Sequence, residues 1–135
     1  MSDVVVEVAW MDGLRFEGRG RNQVPIVLDG AGLAGPAPTE ALLMGVAACM
    51  GIDVVDMLAK MRVPVEALTV RAEGDRRAEP PRRYTAIRLV YAARGVPESS
   101  AGKLQRAVEL SRTKYCSVLH SLDPEVDVDI RIEAA

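Results

Sequence analysis

Two cysteines, Cys49 and Cys116, are the residues of this chain whose types best fit a covalent reaction. Cys49 lies in an apolar run, GVAACMGIDVVDML, and Cys116 lies in TKYCSV near the carboxyl end. They are 67 positions apart, so they do not form a local CxxC redox loop and only folding can bring them together. Two thiols that meet in a reducing cytosol predict a transient disulfide, as in a redox catalyst or sensor. Two thiols that stay apart are most simply small buried hydrophobic side chains.

Two neighbouring thiols support a defined reaction with peroxides. A thiolate attacks one peroxide oxygen and becomes a sulfenic acid, and a second thiol condenses with it to a disulfide. An external dithiol then reopens the disulfide by exchange. Because a free cysteine has a pKa near ~8.5, attack at neutral pH requires a cation, a hydrogen-bond donor or a helix amino terminus beside the sulfur. Asp53 and Asp56, on the same predicted helical face as Cys49, oppose its ionisation if unpaired, so we expect an arginine to offset them.

Cys116 has a more favourable local sequence. Lys114 precedes it, and CSVLHSL predicts a short helix whose amino-terminal amides face the sulfur. His120, the one histidine, follows four residues later, a spacing that would also allow a metal site with Cys49 and a carboxylate. A lone histidine lacks the dense ligand spacing of zinc motifs, so we expect no metal, and a histidine hydrogen-bonded at a helix end instead.

The composition excludes several classes of function. With 49% hydrophobic and 27% charged residues, 135 residues predict one globular domain, 1–135. A net charge of -2 without a basic stripe argues against nucleic acid as a partner. Asp53 and Asp56 interrupt the most apolar region, so we expect no membrane-spanning segment, and the lack of a secretory segment predicts a cytoplasmic location. The aromatic content of only 4% favours burial against a second subunit.

Hydrophobic periodicity and turn residues predict an α+β fold, because strands and helices are segregated rather than strictly alternating. The predicted segments are N-terminal strands in 1–30, a central helix over 38–62, a hairpin over 66–94, a second helix with the cysteine-bearing turn over 97–122, and a final strand over 125–133. The joining segment DRRAEPPRR predicts an exposed hairpin tip.

The central helix is predicted to begin at Pro38, because proline suits the first helical position and Glu40 then meets the positive end of the helix dipole. Its residues are apolar on nearly all sides up to Asp53, which predicts a buried helix. Gly45 and Gly51 lie inside it, and we expect another backbone to approach them closely.

The pattern GPAPTEALLMGVAACMGIDVVDMLAKMR, followed by SRTKYCSVLHSL and a terminal strand, resembles the OsmC/Ohr family of thiol-dependent hydroperoxide reductases. The MDGLRF start and the CMGIDVVDML helix look most like its YhfA-type branch. The resemblance implies an OsmC-like fold and an interwoven homodimer, with long central helices packed against antiparallel sheets that both chains share. It also implies a site at the dimer interface in which Cys49 attacks an organic hydroperoxide and Cys116 resolves the product, with no cofactor.

Two positions that activate the thiol in hydroperoxide reductases of this family are changed here. The family pattern has an arginine just before an Asp-Gly turn, where this chain has Met11, and a glutamate directly after the helix-starting proline, where it has Thr39. The resemblance leaves Glu40 and Arg15 as the candidates for these roles. Each also has a simpler interpretation, Glu40 as a favourable helix start and Arg15 as an exposed strand residue.

Three hypotheses of function follow. The first is a cytoplasmic homodimer that reduces organic hydroperoxides through Cys49 and Cys116 and is recycled by an external dithiol. The second is a dimeric OsmC-like module that binds a small apolar ligand or a partner, with thiols that only pack. The third is a thiol sensor that is oxidised but barely turns over.

Overall fold

The computed structural model describes residues 2–134. The chain divides into two compact units, with the boundary between Leu42 and Leu43. Whether the units act as the single domain expected from the sequence stays a prediction.

The N-terminal unit is built on a three-stranded antiparallel sheet. Its strands are β1 (Glu7–Asp12), β2 (Arg15–Arg19) and β3 (Ile26–Asp29), and β2 lies in the middle. Gly13 has a φ of 49° in the tight turn between β1 and β2, a conformation that glycine adopts without a steric penalty. The strands predicted within 1–30 are therefore confirmed, and β1 and β2 form a hairpin.

The glycine-rich loop after β3 is held by the carboxylate of Asp29. This buried side chain accepts hydrogen bonds from the backbone N–H groups of Ala31 and Ala34, both at 2.9 Å, and of Leu33 at 3.3 Å. These N–H donors lower the pKa of the carboxyl group. A segment without regular structure is thereby ordered and leads the chain into the helix that follows.

The long helix α1 spans Pro38–Lys60. The side chain of Glu40 accepts a hydrogen bond from the backbone N–H of Ala37 at 3.0 Å, which satisfies a donor at the helix start. The helix ends two residues earlier than the sequence predicted. Arg62 adopts a φ of 59°, the left-handed conformation that commonly ends a helix, and Pro64 prevents further helical extension.

The second unit contains a three-stranded sheet with β5 in the middle. The hairpin of β4 (Ala67–Arg76) and β5 (Tyr84–Arg94) is antiparallel, as predicted, and its charged tip is exposed. The final strand β6 (Asp127–Ala134) pairs with β5 in parallel, so the expectation of purely antiparallel sheets is wrong here. The physical reason is the long helical connection from β5 to β6, which carries the chain back to the starting end of β5.

The predicted second helix is in fact a series of short helical pieces. A 3₁₀ turn over Glu98–Ser100 leads into α2 (Ala101–Leu110), a π-helical turn follows over Ser111–Tyr115, and α3 spans Ser117–His120. Single π turns inside helices are frequent at functional sites. Cys116 lies between the π turn and α3.

The core of the second unit lies between one face of α1, the central strand and the helical pieces. The four core residues of α1 follow one another at intervals of four, which places them on one side of the helix. The largest fully buried side chains are Val46, Met50, Val54 and Leu58 of α1, Ile87, Leu89 and Tyr91 of β5, and Ser111 and Cys116 beyond α2.

One side of α1 is largely exposed. Met44, Ile52 and Val55 are 56%, 67% and 46% exposed, so the prediction that α1 is buried on all sides is wrong for one chain. The atoms of other elements nearest to Gly45 and Gly51 belong to side chains, not to the backbone that we expected. The uncovered residues form an apolar face.

Helix α1 also bears on the question of a membrane. By length and composition it could cross one, because its most apolar window has a mean hydropathy of 1.9. The expectation that no segment spans a membrane stays a prediction. The core helix of a soluble protein can meet the same criterion, and α1 does supply a core face.

Candidate thiol active site

The fold brings the two cysteines together. The Sγ atoms of Cys49 and Cys116 and a carboxylate oxygen of Asp53 all lie within 4.8 Å of one another, and both cysteines are free thiols. Cys49 and Asp53 are partly buried and Cys116 is fully buried. We call these three residues the thiol cluster.

Three local structures position the cluster. Cys49 and Asp53 are four residues apart on α1, so their side chains project from the same side of that helix. The π turn ends where the Cys116 N–H donates to the carbonyl oxygen of Ser111 at 2.9 Å. Cys116 then caps α3, and its Sγ accepts a hydrogen bond from the N–H of Leu119 at 3.3 Å. The prediction of a short helix with amides facing the sulfur is confirmed.

Burial nevertheless keeps the Cys116 thiol protonated. Burial is the main cause that raises its pKa to about 11, the N–H of Leu119 lowers it, and a hydrogen bond with Cys49 raises it again. The favourable setting expected from the sequence is thus outweighed by desolvation. Cys49 is the more exposed of the two cysteines.

Asp53 is paired differently from our expectation. The buried hydroxyl of Ser111 donates to Asp53 Oδ2 at 2.8 Å, whereas Asp56 pairs with Lys60 at 2.8 Å. Among the described residues 43–134, no lysine or arginine forms an ion pair with Asp53. A hydroxyl group, rather than the arginine we expected, is therefore its partner within this unit.

Tyr91 shares the hydrophobic core with Cys116, and sequence analysis did not single it out. It projects from the middle of β5, its side chain is fully buried, and its hydroxyl has no hydrogen-bond partner among residues 2–134. Burial is the main cause that raises the pKa of this hydroxyl, and Cys116 and Asp53 raise it further when they are ionised. The hydroxyl therefore lies within electrostatic reach of both residues. An unpaired buried hydroxyl costs about 1–3 kcal/mol, so it is a donor available to a ligand.

The candidates Arg15 and Glu40 belong to the N-terminal unit, where each has a local partner. Arg15 donates to both carboxylate oxygens of Asp12, at 2.6 Å and 2.5 Å, and Glu40 accepts from the Ala37 N–H. These contacts fit the simpler interpretations, the exposed strand residue and the helix start. Their catalytic roles stay predictions.

His120 and Lys114 do not join the thiol cluster. Nε2 of His120 lies 2.8 Å from the carbonyl oxygen of Arg112, at the end of α3, which confirms the expected hydrogen-bonded histidine. The ammonium group of Lys114 lies 5.4 Å from the centre of the Tyr115 ring. Neither side chain contributes a ligand atom to the cluster.

Comparison with known proteins identifies the family. The family model described as OsmC-like protein matches residues 29–131. The chain belongs to the OsmC family. Protein YhfA of Escherichia coli K12 is 38% identical to it over 122 residues, which cover 90% of each chain. This supports the expected resemblance to the YhfA-type branch of the OsmC family.

Solved structures support the OsmC-like α+β fold. A hypothetical protein from Aquifex aeolicus VF5 superposes with a TM-score of 0.86 at 31% identity, covering 100% of this chain and 98% of that one. The organic hydroperoxide resistance protein OhrB of Bacillus subtilis superposes with a TM-score of 0.61 at 17% identity, covering 98% of both chains. At such low identity, the second likeness shows a shared fold and no more.

Proposed function

We propose that the protein is a cytoplasmic, homodimeric peroxidase that reduces organic hydroperoxides with Cys49 and resolves the product with Cys116. The single observation that carries this proposal is the placement of both sulfur atoms within 4.8 Å of each other. A disulfide needs the sulfurs at about 2.05 Å, so only a short movement separates the free thiols from the bond. Membership of the OsmC family, in which an organic hydroperoxide resistance protein shares the fold, supports the choice of substrate.

The reaction has two chemical steps before recycling. The Cys49 thiolate attacks one peroxide oxygen, the O–O bond breaks, and the leaving alkoxide takes a proton and departs as an alcohol. The sulfur of Cys116 then attacks the Cys49 sulfenic acid, an S–S bond forms, and the sulfenic oxygen leaves as water with the Cys116 proton. The two thiols have lost two electrons to the peroxide, and an external dithiol restores them by exchange.

The partition of roles between the two cysteines follows from their surroundings. Cys116 is buried and its pKa is raised to about 11, so it holds its proton while Cys49 reacts. Its position at the start of a helix of only four residues leaves little structure to rearrange when the disulfide forms. The hydroxyl of Tyr91 is a donor for the leaving alkoxide oxygen, whose charge grows as the O–O bond breaks.

The dimer is proposed from the uncovered apolar face. A shallow groove of about 800 Å³ is lined by Met44, Ile52 and Val55 of α1 and by Leu68 and Val70 of β4. Exposed apolar grooves of this kind mark surfaces that bind another protein or a ligand. We propose that α1 of a second copy covers the groove, as the family resemblance implies.

A peroxide-consumption assay tests the proposal. Purified protein, an organic hydroperoxide such as cumene hydroperoxide and a dithiol reductant are mixed, and the loss of peroxide is followed over many turnovers. We expect Cys49→Ser to abolish consumption and Cys116→Ser to slow it strongly, because the sulfenic acid then lacks its resolving partner. Equal rates for the wild type and Cys49→Ser would rule out the proposal.

One observation favours a thiol sensor as a second candidate. Asp53 lies beside Cys49 and its partner in residues 43–134 is an uncharged hydroxyl, which does not help the thiolate to form. A sensor would form the Cys49–Cys116 disulfide once and then turn over slowly. Intact mass after one equivalent of peroxide, compared with sustained consumption, separates the two functions.

A further inference from the structure

The thiol cluster has the donor atoms of a metal site. Two sulfurs and one carboxylate oxygen lie within 4.8 Å of one another and come from Cys49, Asp53 and Cys116. Zinc binds cysteine sulfur at about 2.3 Å and carboxylate oxygen at about 2.0–2.2 Å. In tetrahedral geometry two such ligands lie roughly 3.5–3.8 Å apart, so side-chain shifts of about 1 Å bring all three donors to an ion.

Each of two donors already has a hydrogen bond that fixes its direction. Ser111 donates to Asp53 Oδ2, so Oδ1 is the carboxylate oxygen that does not bind Ser111. The N–H of Leu119 donates to the sulfur of Cys116. Outer hydrogen bonds of this kind orient the ligands of real metal sites and raise their affinity.

The charge of the cluster and an unpaired hydroxyl also favour a bound cation. When both thiols ionise, the cluster holds three negative groups, and no lysine or arginine within residues 43–134 is ion-paired with Asp53 to offset them. The buried Tyr91 hydroxyl has no partner among the described residues. A hydroxyl in this state fits a bound ligand, such as a water molecule on an ion.

We propose that Cys49, Cys116 and Asp53 of the reduced protein bind one thiophilic divalent cation of the zinc class, which occupies both thiols. Two sulfur ligands and one carboxylate leave a fourth tetrahedral position for water. On binding, the two S–H bonds break, both protons pass to solvent, and no atom changes its oxidation state. Partial exposure of Cys49 and Asp53 provides the way in.

This donor set differs from the one considered from the sequence. There, His120 was the candidate ligand, and its lack of partners led us to expect no metal. In the structure His120 is exposed and bonded to the Arg112 carbonyl group, so histidine has no part in the proposed site. The two thiols and a carboxylate, which the set considered from the sequence also contained, remain as the donors.

Direct titration of the reduced, metal-free chain tests the site. Zinc chloride is added in competition with a chromogenic chelator, and cobalt(II) serves as a spectroscopic probe of tetrahedral geometry and of thiolate ligands. We expect one ion per chain, with visible tetrahedral cobalt bands and a sulfur charge-transfer band. Asp53→Asn should weaken zinc binding at least about tenfold, and Cys49→Ser should weaken it further.

Matched controls make each result decisive. Asp56→Asn removes a carboxylate three residues away that is exposed and paired with Lys60, so zinc affinity should not change. Wild-type protein oxidised to the disulfide has the same sequence, but its two sulfurs are bonded to each other, so it should not bind zinc. Equal zinc affinity in Asp53→Asn and wild type, binding by the disulfide form, or no binding by the reduced form would each overturn the proposal.

A separate experiment asks whether zinc competes with peroxide reduction, and this consequence rests on the proposed function. Zinc-loaded protein should consume cumene hydroperoxide at least about tenfold more slowly than metal-free protein, and a chelator should restore the rate. Because the titration uses no peroxide, an inactive protein that binds zinc would refute the peroxidase and leave the metal site standing. An active protein that does not bind zinc would refute the metal site and leave the peroxidase standing.

Discussion

At the scale of single residues, the two thiols of the site differ in their burial. Cys116 is buried and its pKa is raised to about 11, whereas Cys49 is partly exposed on the surface of α1. The sequence placed Asp53 on the helical face of Cys49, because residues four apart share a face. It could not show Tyr91 or Ser111 as neighbours, since these come from β5 and the π turn and only packing brings them in.

The contrast predicts selective alkylation. Iodoacetamide reacts with thiolates, so in the folded reduced protein at pH 8 it should label Cys49 and leave Cys116 unmodified. Labelling of Cys116 should rise only as the pH approaches about 11, where its thiol ionises. Peptide mass analysis at a series of pH values measures this, and denatured protein, in which both label, is the control. Equal labelling of both cysteines at pH 8 would contradict the assigned roles.

Tyr91 provides a second prediction at this scale. Tyr91→Phe removes a hydroxyl that has no partner in the described structure, so the free energy of unfolding should not fall. Peroxide consumption should nevertheless drop by about tenfold or more, because the leaving oxygen loses a hydrogen-bond donor. Denaturant melts and steady-state rates measure the two effects. A destabilised variant with unchanged kcat would show that the hydroxyl is structural.

At the scale of elements, the π turn connects the two halves of the site. It breaks what the sequence predicted as one helical segment over 97–122, and it places Ser111 against α1 and Cys116 at the start of α3. The predicted second helix is correct for α2, in which Leu104, Ala107 and Val108 are buried. The π turn depends on packing against α1, so local helical periodicity gave no sign of it.

The hydrogen bond from Ser111 to Asp53 predicts the cost of separating these elements. Ser111→Ala leaves a partly buried carboxylate without its donor, so the free energy of unfolding should fall by about 1–3 kcal/mol. Ser121→Ala is the matched control, because that hydroxyl donates to a carbonyl oxygen in an exposed position. Urea unfolding measures both variants. Equal stability of the two variants would show that the contact does not hold the turn to α1.

At the scale of the whole molecule, the sequence did not show what covers the apolar residues of α1. Its apolar residues predicted burial on all sides, but only Val46, Met50, Val54 and Leu58 of this helix are fully buried. The direction of β6 could not be predicted from the sequence either, because its alternation of apolar and polar residues is the same whether it pairs parallel or antiparallel with β5. Both features depend on contacts distant in the chain or between chains.

The uncovered face predicts a dimer that a single charge disrupts. Ile52→Glu places a carboxylate in the apolar groove, so it should shift the protein from dimer to monomer. Ala101→Glu adds the same charge at an exposed position of α2 that does not line the groove, and it should leave the assembly unchanged. Sedimentation velocity measures both. A wild type that is monomeric at micromolar concentration would contradict the proposed assembly.

The central claim is that Cys49 attacks the peroxide and that Cys116 captures the resulting sulfenic acid. Intact mass and peptide mapping after one equivalent of cumene hydroperoxide test it most directly. We predict the loss of two hydrogens in the wild type, with a Cys49–Cys116 linkage, and the gain of one oxygen on Cys49 in Cys116→Ser. Wild-type protein that keeps both thiols free, or that gains oxygen without forming the disulfide, would contradict the account.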